Sequence, residues 1–350
     1  MSNKNLLSGR DKELQELAEQ YEAAMSENKP FYQDADELAD LADWYGTKKR
    51  YDKAFEIAEY GLKLHPDSTE LMIEYAYLHL DNGKKAKARE IIENLPDTYS
   101  PEAKVVRAHL LLSEGKLDDA EQLLDTIEDK ADLANVVDVS YMYLDMGYPD
   151  KALAWLDPVK EEYSDEEAYI AVVADCLYGK GMTEEAIPLY NRLIDMNPYS
   201  APYWFGLARC HFEEMNFNQA IDACDYALVG DDEFADAYVM KGHCFYQLGN
   251  EDAALEYYQK AEELHGLAPE FIYTYIGLCK VSKGEWKEGY ENLEKAILEN
   301  ETDEIASPIL PSLYANAGLC LSKMGKKRKA HQYCKKAHKL SPEEPESLLI

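Results

Sequence analysis

The 350-residue chain is short of positive charge: 36 Lys and Arg stand against 68 Asp and Glu, a net charge of −32. So acidic a surface repels phosphate backbones and anionic headgroups, which argues against nucleic acid or a membrane as partner. Long apolar runs are also missing. The opening MSNKNLLSGRDKE lacks the apolar core of a secretory signal, and no later stretch could span a bilayer, so the expected address is cytoplasmic. On that reading the Asn300-Glu301-Thr302 sequon is a chance match. There is no phosphate-binding glycine loop, zinc-finger spacing, H-E-x-x-H or nucleophile motif, hence no catalytic residue, metal or cofactor to predict. The seven cysteines are odd in number and sit in no oxidising context, so disulfides are not expected.

What is present is repetition. Trp204, Leu207, Ala208 and His211 fall at i, i+3, i+4 and i+7, one face of a helix; Ala220, Cys224 and Ala227 mark a face of a second helix. Displaced by 34 residues, Tyr238, Lys241, Gly242 and Phe245 and then Ala254, Tyr258 and Ala261 say the same thing again. Small anchors recur along the chain: Ala42, Ala76, Ala108, Ser140, Ala174, Ala208, Gly242, Gly277 and Gly318. Twelve residues after each comes another small residue: Ala54, Ala88, Ala120, Ala152, Ala186, Ala220, Ala254, Gly289 and Ala330. Seven after the anchor there is usually glycine (Gly83, Gly115, Gly147, Gly181, Gly249, Gly284, Gly325), and Pro66, Pro198 and Pro342 close several units. The unit is thus an antiparallel helix pair whose backbones meet at small residues.

This pattern resembles the tetratricopeptide repeat, W-x2-L-G-x2-Y followed by A-x3-F and P. The resemblance implies an all-α solenoid, with antiparallel pairs stacked into a right-handed superhelix. Residues 1–33 are expected to form a capping helix, with Ser8 to Asp11 as its capping box and Leu14, Leu17, Ala18, Tyr21 and Met25 as its apolar stripe. Residues 34–342 hold nine repeats and 343–350 a tail. The third and fourth repeats read as two residues short, and Glu299 to Pro311 as an acidic loop or a kinked longer helix. Cys176, Cys210, Cys244, Cys279 and Cys320, each two after an anchor, read as packed thiols.

In function the resemblance implies a non-catalytic scaffold that holds an extended peptide or a partner helix in a concave groove. The alternative is a regulatory or substrate-presenting array joined to, or associated with, an enzyme. The groove face carries Ile73 and Leu80, Val105 and Leu112, Val137 and Leu144, and Val239; its candidate contact residues are Tyr77, Tyr141, Tyr178, Phe205, Arg209, Phe212, His243 and Tyr246. The Lys, Asn and Arg set with which one subgroup clamps a chaperone's terminal carboxylate is not matched here. Asp175, Arg209 and His243 follow successive anchors by one, and read as an ion-pair ladder or ligand contact. His331, Cys334 and His338 have ligand-like spacing, but a fourth ligand is missing, so no metal is predicted. From Lys323 to Lys339 there are eight basic and no acidic residues, a surface suited to self-association or partner docking.

Overall fold

The computed structural model describes residues 11–27, 29–264, 268–300 and 307–342, and among them there are helices and turns but no strand. The chain forms two compact units, residues 1–210 and 211–350. The first holds α1 (Asp11–Ser26), α2 (Ala35–Thr47), α3 (Tyr51–Leu64), α4 (Thr69–Asp81), α5 (Lys85–Glu93), α6 (Pro101–Ser113) and α7 (Leu117–Leu124). It continues through α8 (Leu133–Asp145), α9 (Pro149–Leu156), a 3-10 turn (Asp157–Val159), α10 (Lys160–Tyr163), α11 (Glu167–Gly179) and α12 (Thr183–Met196). The unit boundary falls inside α13 (Ala201–Glu213). Beyond it lie α14 (Phe217–Gly230), α15 (Ala235–Gln247), α16 (Glu251–Glu263), α17 (Pro269–Ser282), α18 (Trp286–Asn300), α19 (Leu310–Lys323) and α20 (Lys327–Leu340).

Each anchor and the small residue twelve later lie on consecutive helices, and the alanines among them are wholly buried. The reason is steric. At Gly277 an added Cβ would stand 2.8 Å from Leu293 Cγ and 3.2 Å from the Leu293 backbone nitrogen. Ser140, the one hydroxyl among the anchors, is equally buried and donates to the carbonyl of Ala152, its own small partner, at 3.2 Å. A polar atom is thereby tolerated where the backbones are closest.

The turns between paired helices explain the glycine column. All seven turn glycines have φ between 69° and 78°, a left-handed conformation that glycine adopts without steric cost. Lys49 and Met215 stand at the same place with φ of 59° and 58°.

Helix α1 buries Leu14, Ala18 and Tyr21 against α2 and α3, while Leu17 and Met25 are half-buried. Tyr21 meets Phe31 edge-on at 5.4 Å and donates to Glu56 at 3.2 Å. At about 1.5–3 kcal/mol for each large side chain removed from water, this stripe is what holds the helix down. Ser8, the first half of the expected capping box, lies outside the described residues, as does the 343–350 tail.

The short repeats fall one place earlier than the sequence reading put them. The missing residues come from α5 and α7, nine and eight residues long, which are the second helices of the second and third repeats. Leu95-Pro96 stops α5, because the residue before proline avoids helical backbone. Of the expected acidic loop, Glu299 and Asn300 belong to α18, and Leu310 opens α19 with Pro311 in its first turn. Residues 301–306 lie outside the described residues.

Candidate functional site

In the first unit, the face three before and four after each anchor splits into two parts. Ile73, Tyr77, Val105, Val137 and Tyr141 are at most 9 % exposed, so there the strip packs between helices. Tyr178 on α11, with Phe205 and Arg209 on α13, remains half-buried. These three form a stack: the Arg209 guanidinium lies 4.3 Å from the Tyr178 ring centre and 5.6 Å from that of Phe205.

Asp175 fixes that stack from below. Its Oδ1 accepts from Arg209 Nη2 at 2.8 Å and from the Tyr190 hydroxyl at 2.7 Å, and its Oδ2 accepts from Tyr141 at 3.2 Å. Burial, and then the Asp175 charge, hold both phenols well above their usual range, so they stay neutral donors. Three donors on one carboxylate make a pre-organised support rather than an acid–base pair. Of the row Asp175, Arg209 and His243, the first two form a direct ion pair, while His243 bonds Tyr258. Tyr190, on α12, was not legible from the groove face. Gly206 makes room for it: a Cβ there would lie 2.2 Å from the Tyr190 ring.

In the second unit, Phe212, His243 and Tyr246 are half-buried. His243 Nδ1 is 2.8 Å from the Tyr258 hydroxyl, and the imidazole meets Tyr275 edge-on at 4.5 Å. Phe212 stands 6.3 Å from the same ring, and the Tyr246 hydroxyl 3.4 Å from Ser282 Oγ. Burial lowers the His243 pKa to about 4, so the ring is neutral at physiological pH and serves its aromatic cluster.

An acidic cavity of about 380 Å³ opens on α2, α4 and α6. Asp36, Asp40 and Asp43 line it from α2, Glu70 and Glu74 from α4, Glu102 from α6, and Asp97 from the turn before α6. Ala39 and Ile73 supply an apolar wall, and among the described residues no Lys or Arg lines it. Glu74 is 4 % exposed, its Oε1 has no hydrogen-bond partner, and burial and then the Asp43 charge push its carboxyl well above the usual range. Sequence reasoning missed this cavity although a signal was there: the residue six before the anchor is acidic in three successive repeats, as Asp36, Glu70 and Glu102.

The other candidates resolve locally. Six thiols are buried and Cys334 is half-buried, and none is in a disulfide; burial raises Cys176, Cys244 and Cys279 to about 12. On α20, His331 and His338 are exposed on either side of Cys334, and among the described residues no three His, Cys, Asp or Glu are placed to hold a metal ion. Of the basic run, Lys329 pairs with Glu294 at 3.2 Å and lies over the Tyr290 and Tyr333 rings. No helix among the described residues is long and apolar enough to cross a membrane.

Comparison with known proteins places these features. Residues 47–108 and 311–344 match the tetratricopeptide repeat, and residues 179–261 match subunit 3 of the anaphase-promoting complex, cyclosome. No curated protein matches the chain. Among solved structures, the APC/C hetero-tetramer Cut9-Hcn1 is similar at 15 % identity, with a TM-score of 0.51 over 90 % of this chain and 82 % of that one. The Pseudomonas aeruginosa protein pilF is similar at 14 % identity, with a TM-score of 0.53 over 63 % of this chain and 96 % of that one. At such identities the likeness is one of fold.

Proposed function

Because the chain is a tetratricopeptide-repeat protein with the all-α solenoid fold, we propose that it is a non-catalytic scaffold for protein–protein interaction. Its ligand is an extended segment or an exposed helix of a partner, lying on the first-helix face. The observation that carries this reading is the Arg209 stack. A guanidinium held between Tyr178 and Phe205, and anchored by Asp175, offers aromatic and cationic surface at little further cost in side-chain entropy. Phe212, His243 and Tyr246 supply a comparable aromatic surface in the second unit. The buried Tyr141 supports the Arg209 stack through its bond to Asp175, and the buried Tyr77 packs against His109.

The test is affinity capture followed by quantitative binding of the captured partner. Phe205→Ala and Phe212→Ala together should weaken binding by about 2–4 kcal/mol while circular dichroism shows the helices intact. Normal binding by the folded double variant would remove the aromatic face as the ligand surface.

A further inference from the structure

The last helix inverts a charge pattern that runs through the rest of the chain. In each repeat, the residues two before and five after the small residue of the second helix lie seven apart, and so share one face. In the eight earlier repeats these two places always hold at least one carboxylate, and Lys287 is the one base among them. On α20 the same places are Arg328 and Lys335, both exposed, on the side opposite the buried Ala330 and Ala337. In the second unit Asp225, Asp252 and Glu294 are each already held by a lysine. In the first unit Asp118, Asp157 and Glu184 are exposed and, among the described residues, enter no ion pair; the same is true of Arg328 and Lys335.

We propose that α20 docks on a second copy of this chain, laying Arg328 and Lys335 along the acidic second-helix stripe of that copy's first unit, at α7, α9 and α12. The spacings match. Arg328 and Lys335 stand about 10 Å apart along the helix axis, at roughly 1.5 Å per residue, and so do two carboxylates at the equivalent places. Asp118 with Asp125, and Asp150 with Asp157, are such pairs, and Asp125 and Asp157 keep helical backbone just past the ends of α7 and α9. Arg328 can take a carboxylate with two N–H groups, and Lys335 serves as a point charge. The net charge of −32 opposes association. At about 0.15 M salt, however, charges more than about 8 Å apart are screened, so touching pairs attract while the distant excess is muted. Single exposed pairs contribute little, and it is the register of several that selects this surface. The contact uses second helices, so it is separate from the first-helix face proposed above, and either reading can fail without the other.

Sedimentation velocity of the full chain over a range of concentrations tests this. At about 0.15 M salt the chain should self-associate, and at about 1 M, where the Debye length is about 3 Å, it should not. Arg328→Glu with Lys335→Glu should weaken the association about tenfold or more. Asp118→Lys, Asp157→Lys and Glu184→Lys together should do the same. Mixed in equal amounts, these two variants should associate again, because the acidic α20 of the first then meets the basic stripe of the second. Both variants remain acidic overall, so net charge does not explain such a rescue. Arg328→Gln with Lys335→Gln removes charge without adding any; it should also weaken the association, and it decides the matter should a reversed variant fail to fold by circular dichroism. A chain that stays monomeric at every concentration, association indifferent to salt, undiminished association in any folded variant, or a mixture no tighter than its components overturns the proposal.

Discussion

Met215→Gly should make the protein more stable. Met215 occupies the turn place that seven glycines fill elsewhere, at φ 58°. For an L-residue this backbone costs about 1–2 kcal/mol through the approach of Cβ to the following carbonyl. Glycine avoids that strain but loses more freedom on folding, which takes back roughly 0.5–1 kcal/mol. The side chain is 75 % exposed, so little buried area is forfeited. The turn bonds from Met215 N to Phe212 O at 2.9 Å and from Asn216 N to His211 O at 2.8 Å need no side chain. A net gain of about 0.5–1 kcal/mol remains, which at an m-value of about 3 kcal/mol/M moves the urea midpoint up by roughly 0.2–0.3 M. The reverse change is as clean. A Cβ on Gly249 meets nothing within 4 Å, so Gly249→Ala should destabilise by backbone strain alone. Urea unfolding followed by circular dichroism measures both, and a Met215→Gly midpoint that is unchanged or lower would refute the turn argument.

The ion pair at the centre of the candidate site should behave as a coupled unit. Asp175→Ala leaves Arg209 and two phenols without their acceptor and should cost about 2–3 kcal/mol, a value reduced for the partial exposure of the pair, and adding Arg209→Met should recover part of that loss in a double-mutant cycle. His243, with its pKa depressed to about 4, contributes stability that is present above its unfolded value near 6.5 and lost as pH falls towards 4. The loss is about 3 kcal/mol at most, and His243→Gln should flatten that part of the stability–pH curve. Changing Lys326, Lys327 and Arg328 to Glu, while sparing the paired Lys329, should weaken docking or self-association at low salt; unchanged sedimentation and partner binding would dismiss the C-terminal repeat as a docking surface.

The fold was legible because close backbone approach admits few side chains, and nine such places recur at nearly fixed spacing. The Asp175–Arg209 pair was legible for the same reason, as each follows its anchor by one. Tyr190 was not, because it reaches the pair from a second helix, and its place depends on Gly206 leaving room for a ring. The shortened repeats were misplaced by one, since anchor spacing records a deletion without saying which helix lost it. Tyr77 and Tyr141 share a column with Arg209, and only packing against neighbouring helices reveals that they are buried. The acidic cavity needs three helices side by side, although its column at Asp36, Glu70 and Glu102 could have been read.

The row of packed thiols gives the chain a built-in set of clocks. Cys176, Cys210, Cys224, Cys244, Cys279 and Cys320 are shielded in the folded state, and the first four repeats contain none. A small alkylating reagent can modify each only when its own helix pair opens, so the rate at each sulfur reports the local opening free energy. Cys334, half-buried on α20, marks the fast end of the scale. Mass spectrometry of a timed alkylation would therefore read fraying repeat by repeat, and adding a partner would show which pairs it holds shut. No engineered label is needed for that measurement.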